Sequence, residues 1–344
     1  MLDEKEIISK GYIELSGSTD IKITPLPKSG SDRRYFRIYD GTKSVIGAYN
    51  ANKEENDAFT GFTEHFRKKS LPVPEVYGYM PGKNIYFLQD LGDTNLYTWL
   101  HRRPDMSDFS EETKDIYRKI LDYLIIFQTD GIMGLDLDLC YPHKSFDRQS
   151  MMWDLNYFKY MLLKLLAIPF NEGNLERDFN SLSDYLLETG QDYFLYRDFQ
   201  SANVMIIDGE AWFIDYQGGR KGAPQYDIAS LLYDAKIPMS DKNREELLDY
   251  YIRNFCSVSH ENKDKFREYY TGFSMIRIMQ ALGAFGFRGL YEKKPTFIES
   301  IVPGVNLLLK VIDLAENHVH LPEIFQAVRS ITLSPVFNKL AEKP

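Results

Sequence analysis

The chain has 344 residues, enough for one large domain or two with a substantial core. Its 44% hydrophobic and 26% charged residues give a globular composition, and a net charge of −9 excludes broad attraction to nucleic acid or an anionic membrane. Cys140 and Cys256 form no CxxC pattern, which argues against a disulfide framework and favours a reducing compartment. Because the sequence shows no signal-peptide core and no apolar run of about 20 residues, a cytoplasmic protein is expected.

The first third of the chain predicts a small antiparallel sheet with one main helix. After an opening helix over about 4–16, two β-rich runs flank Asp40-Gly41, a turn that needs positive φ. Phe59, Phe62 and Phe66 then recur at helical spacing and predict the main helix. A second hairpin is expected over 76–88.

From Thr94 onward the pattern is almost entirely helical, with helices predicted over about 110–127, 147–167 and 175–188. A single interruption at 194–219 contains a short hairpin that turns at Asp208-Gly209. Helices resume near Pro224 and continue to the end. Polar residues are concentrated in the interrupting hairpin, so it is the first place to seek a functional site.

Three oxygen-bearing side chains are expected to converge on one edge of this hairpin. Asp198 and Asn203 stand at the two ends of a short loop, and the turn brings Asp215 back beside Asn203. Such oxygens suit Mg²⁺, which takes few protein ligands beside substrate phosphates. A carboxylate that holds no metal can accept a hydroxyl proton, as phosphoryl transfer requires. Each residue taken singly is an ordinary turn former, whereas the set at this spacing predicts phosphoryl transfer.

The pattern resembles the kinase catalytic loop H-R-D-x-x-x-x-N followed by D-F-G. It reads Tyr196-Arg197-Asp198 to Asn203, then Asp215-Tyr216-Gln217, with tyrosine in place of histidine and Tyr-Gln in place of Phe-Gly. The resemblance implies an α+β, two-lobed, protein-kinase-like fold, with an antiparallel N-lobe over 1–92 and a helical C-lobe over 93–344 that carries the catalytic hairpin. It also implies ATP and Mg²⁺ as cofactors. The catalytic residues would be Asp198 as base, Arg197, and Asn203 and Asp215 as metal ligands.

The segment after the hairpin resembles the aminoglycoside phosphotransferase group, in which a short stretch ending in Tyr-Asp-Ile/Leu-Ala replaces the long activation segment. Residues 222–229 read Gly-Ala-Pro-Gln-Tyr-Asp-Ile-Ala, and the sequence contains no A-P-E and no G-x-G-x-x-G. The resemblance implies that Asp227 fixes the catalytic loop by hydrogen bonds. Protein-kinase activity is not expected, because no long activation segment exists to dock a peptide.

Within that group the chain is similar to the family of sugar kinases that phosphorylate the anomeric hydroxyl of N-acetylmuramate and N-acetylglucosamine. The similarity lies in residues 25–26 and 30–37, in 71–76 and 88–93, in 214–217, and in 280–285 with Arg288 and 294–295. It implies nucleotide binding between the lobes, with adenine meeting backbone groups near Gln89, Asp90 and Leu91. It further implies a phosphate-binding loop, whose candidate residues are Ser31, Asp32, Arg33 and Arg34.

One kinase feature is absent, because the strand at 44–49 has no lysine to pair with the α/β-phosphates. Arg33 or Arg34 could replace it, since guanidinium suits phosphate bidentately. The same absence leaves open a nucleotide-binding pseudokinase that serves as a scaffold.

A small-molecule hydroxyl acceptor is expected, with no nucleic-acid or membrane partner. The acidic net charge favours a polycationic aminoglycoside, whereas Arg220, Arg277 and Arg288 favour a sugar that carries a carboxylate. A kinase for another small alcohol is also open. Nothing in the residues indicates an oligomeric state.

Overall fold

The computed structural model describes residues 3–27, 32–103 and 109–342, and its first part is a sheet with two helices. In chain order these elements are α1 (Glu4–Ser16), β1 (Lys22–Pro25), β2 (Arg34–Tyr39), β3 (Ser44–Tyr49), α2 (Lys53–Lys68), β4 (Val76–Met80) and β5 (Ile85–Gln89). The five strands are antiparallel in the order β1-β2-β3-β5-β4. Gly41 takes the positive φ that the predicted turn between β2 and β3 requires.

The rest of the described chain is mainly helical and contains two short strand pairs. The helices are α3 (Leu96–His101), α4 (Glu111–Thr129), α5 (Arg148–Phe158), α6 (Glu172–Leu186), α7 (Gln225–Leu232), α8 (Asp241–Ser259), α9 (Lys263–Phe285), α10 (Pro295–Ile298), α11 (Ile301–Ala315), α12 (Pro322–Ser330) and α13 (Pro335–Ala341). The strand pairs are β6 (Tyr193–Leu195) with β9 (Arg220–Gly222), and β7 (Val204–Ile207) with β8 (Glu210–Phe213).

The predicted order of a sheet followed by helices is therefore confirmed, with two local differences. The helix predicted over 147–167 is only partly α-helical. The α-helix α5 ends at Phe158, and a π-helical segment, Lys159–Leu163, follows it directly. The pairing of β6 with β9 was not predicted, because three-residue strands are too short to show a period of two. The hairpin of β7 and β8 was predicted, with its turn at Asp208-Gly209.

One apolar cluster joins the sheet, α2 and the catalytic hairpin. The predicted phenylalanine stripe of α2 is fully buried. Phe59 stacks on Tyr86 of β5 at 5.0 Å and on Tyr216, just beyond the hairpin, at 5.2 Å. Burying each aromatic side chain contributes about 1.5–3 kcal/mol. Because the same ring contacts both parts, α2 has a fixed position relative to the residue that follows Asp215.

Backbone hydrogen bonds connect the sheet-rich part to the same hairpin. The Phe213 amide donates to the Pro72 carbonyl and the Ile206 amide to the Thr94 carbonyl, both at 2.8 Å. The predicted lobe division at 92/93 falls between β5 and α3. Across the residues that the structure describes, no helix is long and apolar enough to cross a membrane.

Candidate active site

The loop between β6 and β7 carries the predicted base and one predicted metal ligand. The half-buried Asp198 carboxylate accepts no hydrogen bond from any described residue. Asn203 donates from Nδ2 to the Asp198 carbonyl at 2.9 Å and to Asp215 Oδ2 at 3.3 Å. The three residues expected to converge therefore do so, and the Asp198 carboxylate stays available to a ligand.

Asp215 lies with its carboxylate near the charged side chains of Asp198 and Arg33. Its backbone is left-handed, with φ +71°, and Gln217 Nε2 donates to Oδ1 at 2.8 Å. Burial and the nearby charge of Asp198 raise the pKa of Asp215, whereas Arg33 and Gln217 act in the opposite direction. A cation bound here would stabilise the carboxylate form in the same way.

Two carboxylates, one buried and one partly buried, hold the loop at both ends. Asp227 on α7 accepts hydrogen bonds from the amides of Tyr196 at 2.7 Å and Arg197 at 2.9 Å. Burial raises the pKa of Asp227 to about 7, and these amides oppose the shift. Asp234, after α7, accepts from the amide and hydroxyl of Ser201 at 3.1 and 2.5 Å. No sequence signal pointed to Asp234, since its partner lies 33 residues away.

Arg197 is fixed by an ion pair that the sequence did not indicate. Its guanidinium binds Asp154 of α5 bidentately at 2.5 and 2.7 Å, and Nη1 also donates to the Tyr226 hydroxyl at 2.8 Å. The Arg197 backbone is left-handed, with φ +82°. A non-glycine residue in that conformation costs roughly 1–3 kcal/mol and persists only when its surroundings impose it. Asp154 and Asp227 together impose it here.

The departures from the H-R-D and D-F-G patterns are accommodated by new contacts. The Tyr196 hydroxyl donates to the Ile214 carbonyl at 2.6 Å, which connects the loop to the residue before Asp215. Tyr216 is buried against Phe59 and shares a hydrogen bond with Thr63 of α2. Each tyrosine thus packs in the core and uses its hydroxyl within the protein.

The buried Arg33 lies at the centre of a partly exposed ionic cluster. The residue is 3% exposed. Its Nη2 donates to Glu55 Oε2 of α2 at 3.0 Å, and its Nη1 lies 3.7 Å from Asp215 Oδ1. Asn50 also donates to Glu55, at 2.9 Å. The buried Nε of Arg33 has no hydrogen-bond partner within the described chain, so the cluster retains unused donor capacity.

The other candidates for nucleotide binding are distributed differently. Ser31 lies outside the described residues, and Asp32 is exposed. The Arg34 guanidinium lies 3.6 Å from Glu4 of α1, apart from the Arg33 cluster. Arg34 is the first residue of β2 and Arg33 directly precedes the strand, and their side chains contact different helices. The structure therefore distinguishes the two arginines that the sequence left as equal candidates.

The predicted adenine-binding segment follows β5. The Asp90 carboxylate accepts two hydrogen bonds from Arg37, at 2.7 and 2.9 Å, so it connects the segment to β2. Gln89 belongs to β5, where its amide donates to the Glu75 carbonyl at 2.8 Å. The Leu91 amide donates to no acceptor in the described ranges, which leaves it available to a ligand.

No group of three or more His, Cys, Asp or Glu side chains that could hold a metal occurs in the described ranges. The predicted pair of Asn203 and Asp215 is still compatible with Mg²⁺, which takes one or two protein ligands beside substrate phosphates and water. The Asn203 side-chain oxygen accepts no hydrogen bond from the described residues and could serve as one ligand.

Comparison with known proteins identifies the family of this chain. A model of the phosphotransferase enzyme family (APH) matches residues 22–269. The N-acetylmuramate/N-acetylglucosamine kinase of Neisseria meningitidis serogroup B is 23% identical over 296 residues, covering 84% of this chain and 85% of the relative.

Solved structures show the same fold. Ethanolamine kinase of Plasmodium vivax superposes with a TM-score of 0.62 at 12% identity over 93% of both chains. Aminoglycoside phosphotransferase APH(2'')-Ib with ADP bound gives a TM-score of 0.53 at 14% identity, covering 89% of this chain and 97% of that one. The expected two-lobed, protein-kinase-like architecture is confirmed by these likenesses. The chain belongs to the phosphotransferase enzyme family and is a kinase.

Proposed function

We propose that the protein transfers the γ-phosphoryl group of Mg-ATP to a hydroxyl of a cell-wall amino sugar such as N-acetylmuramate or N-acetylglucosamine. The observation that carries the proposal is the unbonded Asp198 carboxylate beside Asn203 and Asp215. The choice of acceptor rests on the name of the Neisseria relative and on the residue patterns shared with that sugar-kinase family. The ADP in the APH(2'')-Ib structure supports an adenine nucleotide as donor.

In this proposal the nucleotide occupies the cleft between the sheet and the helical part. The Leu91 amide would meet adenine, and Arg33 would contact the phosphates in place of the absent strand lysine. Glu55 would hold Arg33 as the helix glutamate of protein kinases holds that lysine. Asn203 and Asp215 would hold Mg²⁺, which would supply positive charge to neutralise the phosphates.

The transfer step needs only one proton acceptor. As the acceptor hydroxyl attacks phosphorus, its proton passes to the Asp198 carboxylate, a new O–P bond forms, and the bond to the ADP oxygen breaks. Asn203 orients Asp198, because the Asn203 side chain donates a hydrogen bond to the backbone carbonyl of Asp198. Asp227 and Asp234 hold the loop so that this geometry exists before substrate binds.

The function is tested by measuring phosphate transfer from ATP to N-acetylmuramate, N-acetylglucosamine, glucose, choline and kanamycin, with and without EDTA. We expect Mg²⁺-dependent transfer to the two amino sugars. Transfer to kanamycin or choline alone would retain the kinase mechanism and refute the proposed acceptor. Nucleotide binding without transfer to any acceptor would instead favour the pseudokinase interpretation.

The pair of Asp154 and Arg197 leads to a prediction about activation. In many protein kinases a phosphorylated residue pairs with arginine to order the activation loop. Asp154 supplies a fixed negative charge to Arg197, so we infer that the catalytic loop is assembled without phosphorylation. Burial, and to a lesser extent the charge of Arg197, lower the pKa of the neighbouring Arg220 to about 10, and the charge of Asp154 opposes this shift.

Asp154→Asn should therefore lower kcat about tenfold, since it leaves Arg197 without its charge partner, with little change in Kd for Mg-ATP. Steady-state kinetics and nucleotide titration would measure the two effects. Asp184→Asn on the exposed face of α6 is the matched control and should behave like wild type. A kcat for Asp154→Asn equal to that of the control would show that Arg197 needs no such partner.

A further inference from the structure

A small pocket adjoins the catalytic loop on the side of α7 and α9. It is lined by Gln200, Ser230, Asp234, Arg277, Ile278 and Phe285, among others. Gln200 lies two residues beyond Asp198, which is at most about 7 Å along the chain. The pocket has a volume of about 20 Å³, room for a small substituent and not for a sugar ring. A group of the acceptor could enter it while the reacting hydroxyl lies at Asp198.

Arg277 gives this pocket a buried positive charge. The residue is 6% exposed. Its Nε donates to the Ser230 hydroxyl and its Nη1 to Gln280 Oε1, both at 2.8 Å. No carboxylate of the described residues lies within 4 Å of the guanidinium, and no described acceptor takes a hydrogen bond from Nη2. The guanidinium carbon also lies 5.9 Å from the centre of the Tyr226 ring. Buried charges normally have a counter-charge, and its absence among the described residues points to a ligand.

The acidic side chains near Arg277 are already engaged by other donors. Asp234, the acid that lines the pocket, accepts three hydrogen bonds, two from Ser201 and one from the Lys236 amide. Asp227 accepts two amide hydrogen bonds from the catalytic loop. The charge of Arg277 lowers the pKa of Asp227 only from a distance. The cation facing the pocket thus remains without a contacting counter-charge.

The other two arginines considered for the acceptor lie elsewhere: Arg288 has a carboxylate partner, and Arg220, which like Arg277 has only neutral acceptors among the described residues, lies outside this pocket's lining. Arg288 pairs with Glu292 at 2.7 Å. Arg220 is buried on β9 and donates to the carbonyls of Gly218 and Tyr141 at 3.0 and 3.3 Å. Neither of them lines the pocket beside Gln200. Arg277 is therefore the arginine that this pocket presents to the acceptor.

We infer that the pocket between the catalytic loop and Arg277 binds an anionic substituent of the acceptor, a carboxylate. This inference rests on the proposed function and narrows its substrate class. A planar carboxylate can accept charge-assisted hydrogen bonds from guanidinium, whereas a polycationic aminoglycoside would be repelled. N-acetylmuramate carries a lactyl carboxylate that N-acetylglucosamine lacks, so the two sugars test the inference directly.

The decisive measurement is the ratio of kcat/KM for N-acetylmuramate to that for N-acetylglucosamine. We expect the wild-type ratio to be about 10 to 30, on the scale of one hydrogen bond to a charged group. Arg277→Met should bring the ratio close to one by weakening turnover of N-acetylmuramate alone, and Arg277→Lys should restore part of it. Arg253→Met, at an exposed site on α8, is the control for the same substitution.

Each other outcome has a distinct meaning. If Arg277→Met lowers both values of kcat/KM equally, Arg277 only supports Asp227 and the anionic pocket is refuted. Equal turnover of the two sugars by the wild type refutes the anionic pocket and leaves the proposed function intact. Transfer to neither sugar refutes the proposed acceptor itself.

Discussion

Asp198→Asn should lower kcat by about 10²- to 10⁴-fold, the usual contribution of a general base. Asparagine has the same shape and cannot accept the hydroxyl proton. The Asp198 side chain forms no hydrogen bond with the described protein, so its replacement removes no contact that holds the loop. We therefore expect the Kd for Mg-ATP to change less than threefold. Single-turnover phosphate transfer and calorimetric nucleotide titration would separate the two quantities.

Asp208→Asn is the matched control for this variant. Asp208 lies exposed at the tip of the same hairpin with φ +51°, a conformation that asparagine also adopts readily. The control should keep wild-type kcat. If Asp198→Asn also keeps it, another group must accept the proton and the proposed role of Asp198 is wrong.

Arg33→Met should lower kcat/KM for ATP by roughly 10²- to 10³-fold, because the proposed charge-assisted contact of Arg33 with phosphate would be lost. The guanidinium is buried between Glu55 and Asp215, and its Nε has no partner in the described protein. A bound phosphate would supply acceptors to this cluster. Arg33→Lys should lie between the wild type and Arg33→Met, because an ammonium keeps the charge without the planar fork.

The variant Arg34→Gln tests whether Arg34, like Arg33, contributes to kcat/KM for ATP. Since Arg34 faces Glu4 on the other side of the sheet, we expect its kcat/KM for ATP to stay within twofold of wild type. Thermal unfolding of each variant shows whether a loss reflects folding, because Arg33→Met also removes a partner of Glu55. A large loss in Arg34→Gln together with a small loss in Arg33→Met would reverse the assignment.

The sequence predicted the elements whose signals are local. The Asp40-Gly41 and Asp208-Gly209 turns require backbone conformations that few residues adopt, and the phenylalanine stripe of α2 has helical spacing. The spacing of Asp198, Asn203 and Asp215 around one short hairpin was equally local. Their convergence was thus predictable from the chain alone.

Side chains that support the site from distant segments were not predictable in this way. Asp154 is 43 residues from Arg197, and Asp234 is 33 residues from Ser201. An isolated aspartate in a helical segment has no pattern that reveals its partner. Their contacts depend on how α5 and α7 pack around the loop, and packing is a property of the whole fold.

The sequence by itself determined the reaction class, because the proposed catalytic residues share one turn and their geometry follows from hairpin pairing. Only the tertiary structure decided which arginine meets Asp215 and which one lines the pocket beside Gln200. Arg33 and Arg34 are adjacent in sequence, yet at the start of β2 their side chains contact different partners, Asp215 for Arg33 and Glu4 for Arg34. Arg277 is one of several arginines beyond the sheet-rich part, and its buried place in the pocket beside Gln200, without a contacting carboxylate among the described residues, distinguishes it. Burial and long-range charge pairing arise when distant segments come together, so neither can be read from neighbouring residues.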